Sequence, residues 1–263
     1  MSGKQLRINR LLRNGKMLCV PLDHGITISD IGHLAAFKET VKIIVENGAS
    51  SIIVHKGMVR FLPELNNAGL IIHLSASTEN SVPVRKVIVC EVEEAIALGA
   101  DAVSVHINLG NNFEKEMLSD LARVSRDCVR YGIPLFAMMY IRNDKGDDIK
   151  DDEIERVVEG NIVKVKKIEL EKHSIRIASE LGADIVKIGA NWDSDKLQSI
   201  IKDALIPVVV AGGDILDPKK FCLHTAKLMK SGILGVSFGR NIFMSNNPKA
   251  TMENLSKIVL GNT

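Results

Sequence analysis

The stretch ELGADIVKIGANWD, residues 180–193, joins the end of a predicted helix to a predicted buried strand. The Gly182–Ala183 step is typical of a helix that stops just before a strand, and the run Ile185–Ile188 has the branched aliphatic composition of a strand. Within that run stands Lys187, although a charged side chain is costly to keep in a buried strand. The stretch therefore predicts one helix-to-strand unit of an α/β fold and makes Lys187 a candidate functional residue.

The same pattern recurs along the whole chain. Amphipathic stretches with helical spacing, such as AAFKETVKIIVENGA (35–49), separate most of the apolar runs, and several end in a Gly-Ala step. Continuous apolar strands that alternate with helices indicate a parallel sheet, and eight such units predict an α/β fold of the (β/α)8 TIM barrel type, as a single domain over residues 1–263. A doubly wound open sheet is the alternative, but no GxGxxG motif follows the first strand. The predicted strands are MLCVPLD (17–23), SSIIVHK (50–56), GLIIHLS (69–75), DAVSVHIN (101–108), PLFAMMY (134–140), DIVKIGA (184–190), PVVVAGG (207–213) and LGVSFGR (234–240).

The composition argues against several classes of function. The formal net charge of +2 offers no argument for binding nucleic acid or an acidic partner. The four cysteines are scattered without a CxxC pair, which favours a reduced, cytoplasmic chain over a zinc site or a disulfide framework. The sequence has no signal peptide and no apolar run of membrane-spanning length, so we expect no membrane association.

Polar side chains occur at the carboxyl ends of the predicted strands, where TIM barrels carry their active sites. Period-two alternation places Asp23, His106 and Lys187 on the inner face, because their apolar neighbours face the helices. Tyr140 shares a face with Phe136, and the pattern does not decide whether that face is the inner one.

Lys187 has a chemical use in this position. A low dielectric favours the neutral form of an amine, and a neutral amine can attack a ketone or aldehyde to form a Schiff base, which acts as an electron sink. Tyr140 and Asp23 are the candidates for moving protons in such a reaction. The alternative for Lys187 is a buried salt bridge to Asp23 or another acid. Lys56 is the rival amine, for which phosphate binding or an ion pair is an equally good reading.

Glycine pairs at the last two predicted strands indicate a phosphate site. Gly212 and Gly213 end the seventh strand, and Gly239 precedes Arg240 where the eighth strand turns into a helix. Glycine lets the backbone approach a ligand closely, and phosphates in TIM barrels often bind at these two loops. The alternative is that both are only tight turns.

Histidines at strand ends have two interpretations. His24, His55 and His106 could converge into a metal site, but lone histidines are more often hydrogen-bonded polar groups. We therefore predict no metal and no cofactor, and we assign His24 and His106 to substrate binding. The remaining histidines show no informative spacing, and we expect them to be surface or packing residues: His33, His73, His173 and His224.

Eight ordered motifs, spread over nearly the whole chain, resemble those of archaeal-type class I aldolases, with the greatest similarity to 2-amino-3,7-dideoxy-D-threo-hept-6-ulosonate synthases. The resemblance implies a (β/α)8 barrel and Schiff-base catalysis, with Lys187 as the nucleophile, Tyr140 as the acid/base and Asp23 as the group that assists proton transfer. The motifs are VPLDHG (20–25), VHKGMVR (54–60), LIIHLSAST (70–78), GADAVSVHINLG (99–110), PLFAMMY (134–140), GADIVK (182–187), VVVAGG (208–213) and GRNIF (239–243).

The resemblance also implies the substrates and the assembly. It implies a phosphorylated ketose donor, a small aldehyde acceptor such as L-aspartate semialdehyde, and a ring-shaped homo-oligomer, for instance a decamer. Alternatives within the same chemistry are a fructose-bisphosphate aldolase, a synthase that makes an amino-hydroxybenzoate precursor from dihydroxyacetone phosphate, and an acetyl-transferring thiolase of quorum-signal breakdown. A non-enzymatic barrel that only binds a phosphorylated ligand is the remaining alternative.

Two stretches depart from the family pattern, and both put the acceptor in question. The segment 141–173 is longer than in the relatives, and IGANWD (188–193) replaces the small polar residues expected there. The partial alternation of apolar and basic residues in NIVKVKKIEL (161–170) suggests an exposed hairpin or arm against a neighbouring subunit, or a lid over the acceptor. The plainer alternative is a longer first turn of the next helix.

Overall fold

Eight parallel strands close into a barrel in the computed structural model, which describes residues 2–80, 84–149, 153–158, 161–190 and 192–261. Around the barrel the strands follow one another in chain order, and the last one pairs with the first. The predicted (β/α)8 fold is therefore confirmed. The barrel strands are β1 (Met17–Pro21), β2 (Ser51–Val54), β3 (Gly69–His73), β6 (Ala102–Leu109), β7 (Leu135–Ile141), β10 (Ile185–Ile188), β11 (Val208–Ala211) and β12 (Gly235–Ser237).

Helices and two small hairpins complete the described fold. The helices are α1 (Gly3–Arg10), α2 (Phe37–Glu46), α3 (Val92–Ala97), α4 (Glu114–Tyr131), α5 (Lys167–Glu180), α6 (Ser194–Ile201), α7 (Pro218–Lys230), α8 (Arg240–Phe243) and α9 (Pro248–Leu260). The strands outside the barrel are β4 (Ser75–Ala76), β5 (Val87–Ile88), β8 (Glu153–Val158) and β9 (Asn161–Lys166). The connection after β2 is a 3-10 helix, Lys56–Phe61, instead of an α-helix. Within the described part of the chain, no helix is both long and apolar enough to cross a membrane.

The helix α4 illustrates how the sequence makes these elements. Met117, Leu121, Val124 and Cys128 recur at helical spacing and are all buried against the barrel. The helix ends at Gly132, whose φ of 62° is the left-handed conformation that glycine adopts most readily at a helix end.

A small inner core fills the barrel below its mouth. Phe136, Met138 and Tyr140 of β7 belong to this inner cluster, so the face that alternation left undecided is the inner one. Leu11, just after α1, closes the bottom of the barrel by packing on the same cluster. Three side chains of α1 donate hydrogen bonds to groups at the amino ends of the strands. Lys4 donates to the Asp184 carboxylate, Arg7 to the Ala100 carbonyl and Arg10 to the Asp101 carboxylate.

The seam between β12 and β1 requires a glycine. A Cβ atom added at Gly235 would overlap the backbone carbonyl of Met17 on the neighbouring strand. We expect Gly235→Ala to lower the free energy of unfolding by about 2–3 kcal/mol, because backbone cannot move aside as a side chain can. Urea unfolding monitored by circular dichroism measures the loss. Gly57→Ala, where the added atom meets open space, is the matched control; equal stability of the two variants would contradict the assignment.

The long segment between β7 and α5 contains an antiparallel hairpin. Strands β8 and β9 pair from Glu153 with Lys166 to Val158 with Asn161, and they form a two-stranded sheet of their own. The helix begins only at Lys167. The hairpin interpretation of this segment is therefore confirmed for the backbone, and the longer-helix alternative is wrong for residues 161–166.

Candidate active site

A cavity of about 900 Å³ opens at the carboxyl ends of the barrel strands. It lies at the end opposite α1, as expected for a TIM barrel. The structure brings nearly all of the predicted site residues to this cavity: Asp23, His24, His106, Tyr140, Lys187, Gly212, Gly213, Gly239 and Arg240.

Lys56 is the exception. Its side chain is 41% exposed and lies on the 3-10 helix after β2, where the Nζ atom is 2.9 Å from a Glu94 carboxylate oxygen. It is not among the cavity-lining residues. The prediction that Lys56 helps to bind substrate is therefore not supported, and the ion-pair alternative describes what the structure shows. The helical turn after β2 carries the side chain outward, and period-two alternation cannot foresee such a turn.

Lys187 is almost completely buried, with 6% exposure, yet it lines the cavity. In register, it lies between Met138 of β7 and Val209 of β11. These neighbours remove water from most of its length and leave the amine facing the mouth of the barrel. This is the environment in which an amine can act as a nucleophile.

Asp23 lies among histidines. Its carboxylate oxygens are 3.5 Å from Nδ1 of His24 and 3.8 Å from Nε2 of His73. Burial by itself opposes ionisation, but attraction to His73, His24, His55 and Lys187 outweighs it and holds the pKa of Asp23 well below its ordinary value. The carboxylate is therefore charged at neutral pH, and the side chains within 4 Å of it are the rings of His24 and His73, so a direct Asp23–Lys187 salt bridge is not what the structure shows.

His73 is a neighbour of Asp23 that the sequence analysis did not foresee. It is buried beside Asp23, and its Nδ1 is 2.8 Å from the Ser104 hydroxyl. Burial lowers the pKa of His73 to about 3, so it is a neutral hydrogen-bonding group at physiological pH. His73 is therefore a packing residue, one of the two alternatives expected from the sequence, but its contact with Asp23 was not foreseen. Its place two residues after the inward-facing Ile71 was the signal that could have found it.

His106 lies against Tyr140, with 4.7 Å between the ring centroids. Its Nε2 is 2.8 Å from Oδ1 of Asn108, whose amide nitrogen donates to the Val84 carbonyl at 2.6 Å. His106 must therefore donate through Nε2, which leaves Nδ1 as a hydrogen-bond acceptor. Burial, followed by the charges of Lys86 and Arg142, lowers the pKa of His106 well below its ordinary value, so the ring is neutral.

Lys86 and Arg142 add positive charge that the sequence analysis did not foresee. Burial and the nearby Arg142 lower the pKa of Lys86 to about 8, and its ammonium donates to the Ser77 hydroxyl. The Arg142 guanidinium is 5.5 Å from the Tyr140 ring and is paired with Asp148 at 3.2 Å. Lys86 lines the cavity together with Lys187, so the cavity presents two amines. It lies in a loop between strands, where no periodicity could have indicated it.

The glycine loops after β11 and β12 are joined by side-chain hydrogen bonds. Arg240 donates to the Gly213 carbonyl at 2.9 Å, and the Asn241 amide donates to the Gly212 carbonyl at 3.2 Å. A Cβ atom at Gly239 would come within 2.6 Å of the His24 ring, so only glycine fits there. The two loops thus form one wall of the cavity that carries half-buried glycines and the exposed guanidinium of Arg240, a combination that suits an anion.

A metal site is not evident in the parts of the chain that the structure describes, since no group of three or more His, Cys, Asp or Glu side chains is arranged to hold an ion. His24 contacts Phe243, with 5.0 Å between the ring centroids, whereas His55 lies 5.3 Å from the His73 ring. His24 and His55 therefore pack against different rings, although both lie near Asp23. In the IGANWD stretch (188–193), which differs from the family pattern, Gly189 and Ala190 line the cavity. Asn191 lies outside the described residues.

A (β/α)8 barrel with a buried lysine at its mouth, a tyrosine and an aspartate on the same cavity and glycine loops after the last two strands has the features of a class I, Schiff-base-forming aldolase. The chain belongs to the DeoC/LacD family of aldolases, whose family model matches residues 17–245.

Relatives and solved structures agree with this assignment. The 2-amino-3,7-dideoxy-D-threo-hept-6-ulosonate synthase 1 of Archaeoglobus fulgidus is 37% identical over 267 residues, which cover 100% of this chain and 93% of the relative. The 2-amino-4,5-dihydroxy-6-oxo-7-(phosphonooxy)heptanoate synthase of Streptomyces griseus is 34% identical, with coverage of 98% and 90%. An archaeal fructose-1,6-bisphosphate aldolase, solved with its catalytic Lys bound to the carbinolamine intermediate, matches with a TM-score of 0.84 at 25% identity, covering 98% of this chain and 100% of that one. The predicted family and enzyme class are confirmed.

Proposed function

We propose that the protein joins a phosphorylated ketose donor to L-aspartate semialdehyde through a Schiff base on Lys187. The observation that carries this proposal is the position of Lys187, which is buried but lines the cavity. Asp23, Tyr140 and the glycine loops line the same cavity. Each part has a role in such a reaction: a nucleophile, groups that move protons, and a surface that holds phosphate.

The chemical steps follow from these groups. The Lys187 amine adds to the donor carbonyl, and loss of water gives the iminium. Loss of a proton from the α carbon, or cleavage of the bond between the α and β carbons with release of an aldehyde, gives an enamine, which attacks the aldehyde carbon of the acceptor. Tyr140 takes and returns the proton at the carbon–carbon bond, and Asp23 assists proton transfer at the carbinolamine. Water then releases the product and restores the amine.

The binding groups divide between the two ends of the substrate. We propose that the Gly212–Gly213 and Gly239–Arg240 loops hold the donor phosphate, because backbone N–H groups and a guanidinium suit that anion. His24 and His106 are neutral and present ring nitrogens that can bind substrate hydroxyl groups. Lys86 lies in a different loop and is suited to a second anion, the acceptor carboxylate.

The choice of acceptor rests on the chemistry named for the relatives. The product in the name of the Streptomyces griseus relative carries a phosphate at one end and an amino acid at the other. An aldol bond between its two hydroxyl-bearing carbons divides it into dihydroxyacetone phosphate and an amino-acid aldehyde, L-aspartate semialdehyde. A cavity with cationic groups in separate loops, Arg240 and Lys86, suits a molecule with two anionic ends.

Product analysis tests the proposal. The protein is incubated with L-aspartate semialdehyde and, in turn, dihydroxyacetone phosphate, a deoxy-keto-hexose phosphate or fructose 1,6-bisphosphate, and the products are identified by mass. The expected result is an acceptor-dependent product that contains the amino-acid carbons. Cleavage of fructose 1,6-bisphosphate that ignores the amino aldehyde would instead identify a fructose-bisphosphate aldolase. A protein that gains no borohydride-stable adduct with any keto-phosphate would be a binding barrel without chemistry.

We also propose a cytoplasmic, ring-shaped homo-oligomer. All four cysteines are free thiols, as a reducing compartment would keep them. The hairpin of β8 and β9 makes no sheet with the barrel, and a lone two-stranded hairpin is only marginally stable in water. Packing on a neighbouring protomer would stabilise it.

Removal of the hairpin tests the assembly. Replacing residues 153–166 with a short Gly/Ser linker is expected to reduce the size of the assembly in sedimentation velocity, because the arm is then absent. The KM for the acceptor should change by less than about 3-fold, since an arm that packs on a neighbouring protomer is not part of the loops that line the cavity. An unchanged assembly with a raised KM for the acceptor would identify the hairpin as a lid. No change in assembly size or in KM would contradict both the arm and the lid interpretations.

A further inference from the structure

Glu171 is a buried acid that the proposed chemistry does not use. It lies in the second turn of α5, is only 3% exposed, and its Oε1 atom has no hydrogen-bond partner. The backbone of Gly189, two residues after Lys187, is within hydrogen-bonding reach of the same carboxyl group. A buried polar atom without a partner costs about 1–3 kcal/mol, so a ligand that supplies the partner would gain from it.

A small side pocket lies in front of this carboxyl group. It has a volume of about 30 Å³ and is lined by residues of β7, α5 and the loop after β10, among them Glu171 and Trp192. A space of this size holds one or two groups as large as a water molecule, and an ammonium group has that size. The pocket lies next to the main cavity, since both are lined by Tyr140, Asp148, Ile149, Gly189 and Ala190.

The surroundings of the pocket suit a cation. Burial raises the pKa of Glu171 to about 8, Lys167 opposes that shift, and the carboxylate of Asp148 adds to it. The face of the Trp192 indole already attracts one ammonium group, that of Lys167, at 5.5 Å from the ring. Two acids and an indole, together with the Lys167 ammonium that lies over the indole, thus border a space of ammonium size beside Tyr140.

We propose that Glu171 is a specificity residue that binds the ammonium group of an α-amino aldehyde acceptor in this side pocket. The ammonium donates a hydrogen bond to Oε1, and Glu171 gives up its proton to solvent as the ion pair forms. The inference rests on the proposed function, which supplies the amino aldehyde, and adds the residue that distinguishes it from an aldehyde without the amine.

Two acceptors that differ only in the amine give the test. L-aspartate semialdehyde and succinate semialdehyde are compared as acceptors with the same donor, in the wild-type protein and in Glu171→Gln. Glutamine keeps the shape of the neutral acid and can still accept from Gly189. The wild type should prefer the amino aldehyde, and Glu171→Gln should lose roughly 10- to 100-fold in kcat/KM for it, since a hydrogen bond between charged groups is removed. The kcat/KM for succinate semialdehyde should change far less.

A matched substitution and a second variant make the result decisive. Glu169→Gln removes an acid from the same helix, but Glu169 is exposed and pairs with Lys172, so the acceptor preference should be unchanged. Glu171→Asp keeps the acid and withdraws it by one methylene, so it should lose preference in the same direction as Glu171→Gln. It also supplies the test if the glutamine variant does not fold.

Three results would overturn the proposal. If both aldehydes lose activity equally in Glu171→Gln, the residue only holds Gly189 and the strand that carries Lys187. If the wild type uses both aldehydes equally well, there is no ammonium recognition to explain. If the wild type forms a borohydride-stable adduct with the donor but joins it to neither aldehyde, the proposed acceptor itself is wrong and the inference falls with it.

Discussion

Lys187→Ala is expected to abolish carbon–carbon bond formation and to leave the barrel folded. The Schiff base requires a neutral amine at the donor carbonyl, and the substitution removes it from the middle of the cavity wall. Lys187→Met, which keeps most of the buried length of the side chain, should be equally inactive and lose less stability. Circular dichroism and thermal unfolding show whether both variants keep the fold.

Trapping identifies which lysine forms the adduct. Borohydride reduction in the presence of a keto-phosphate, followed by peptide mapping, should give one stable adduct, on Lys187. Lys86 is the alternative nucleophile, because its pKa of about 8 leaves an appreciable neutral fraction and it lines the same cavity. An adduct on Lys86 would transfer the nucleophilic role to that residue. Lys56→Ala, a substitution outside the cavity, is the control that should trap normally.

Tyr140→Phe is expected to slow turnover by roughly 10²–10⁴-fold, the usual loss when a general acid or base is removed. The phenylalanine ring keeps the packing against His106, so the variant should fold normally. The Schiff base should still form with the donor, because addition of the amine does not require the phenol. The expected pattern is therefore a full borohydride adduct with slow product formation.

Rapid-quench measurement of adduct formation and of product release separates the two steps for Tyr140→Phe. Tyr131→Phe, at the end of α4 and away from the cavity, controls for loss of a phenol elsewhere in the chain. A Tyr140→Phe rate near that of the wild type would mean that Asp23 or a water molecule carries the proton. A variant that forms no adduct would place Tyr140 in the first step and not in the later one.

The pattern of the sequence predicted the barrel because the fold repeats one local rule. Each unit needs a buried strand, a glycine-containing turn and an amphipathic helix, and all three leave local periodicities in the sequence. The same periodicity assigned Asp23, His106 and Lys187 to the inner face, and all three line the cavity. It could not assign β7, because that strand is apolar on both faces and alternation then carries no information.

Turns and contacts between distant segments decided the rest. The sequence by itself determined the fold class and placed Lys187, Tyr140 and Asp23 at strand ends, because strand direction and side-chain alternation are local properties. Only the tertiary structure turned Lys56 away from the cavity, placed Lys86 on it, set His73 beside Asp23 and aimed Glu171 into a side pocket. These positions depend on loop paths and on helix-to-strand packing between residues far apart in the chain, and no local period in the sequence encodes such packing.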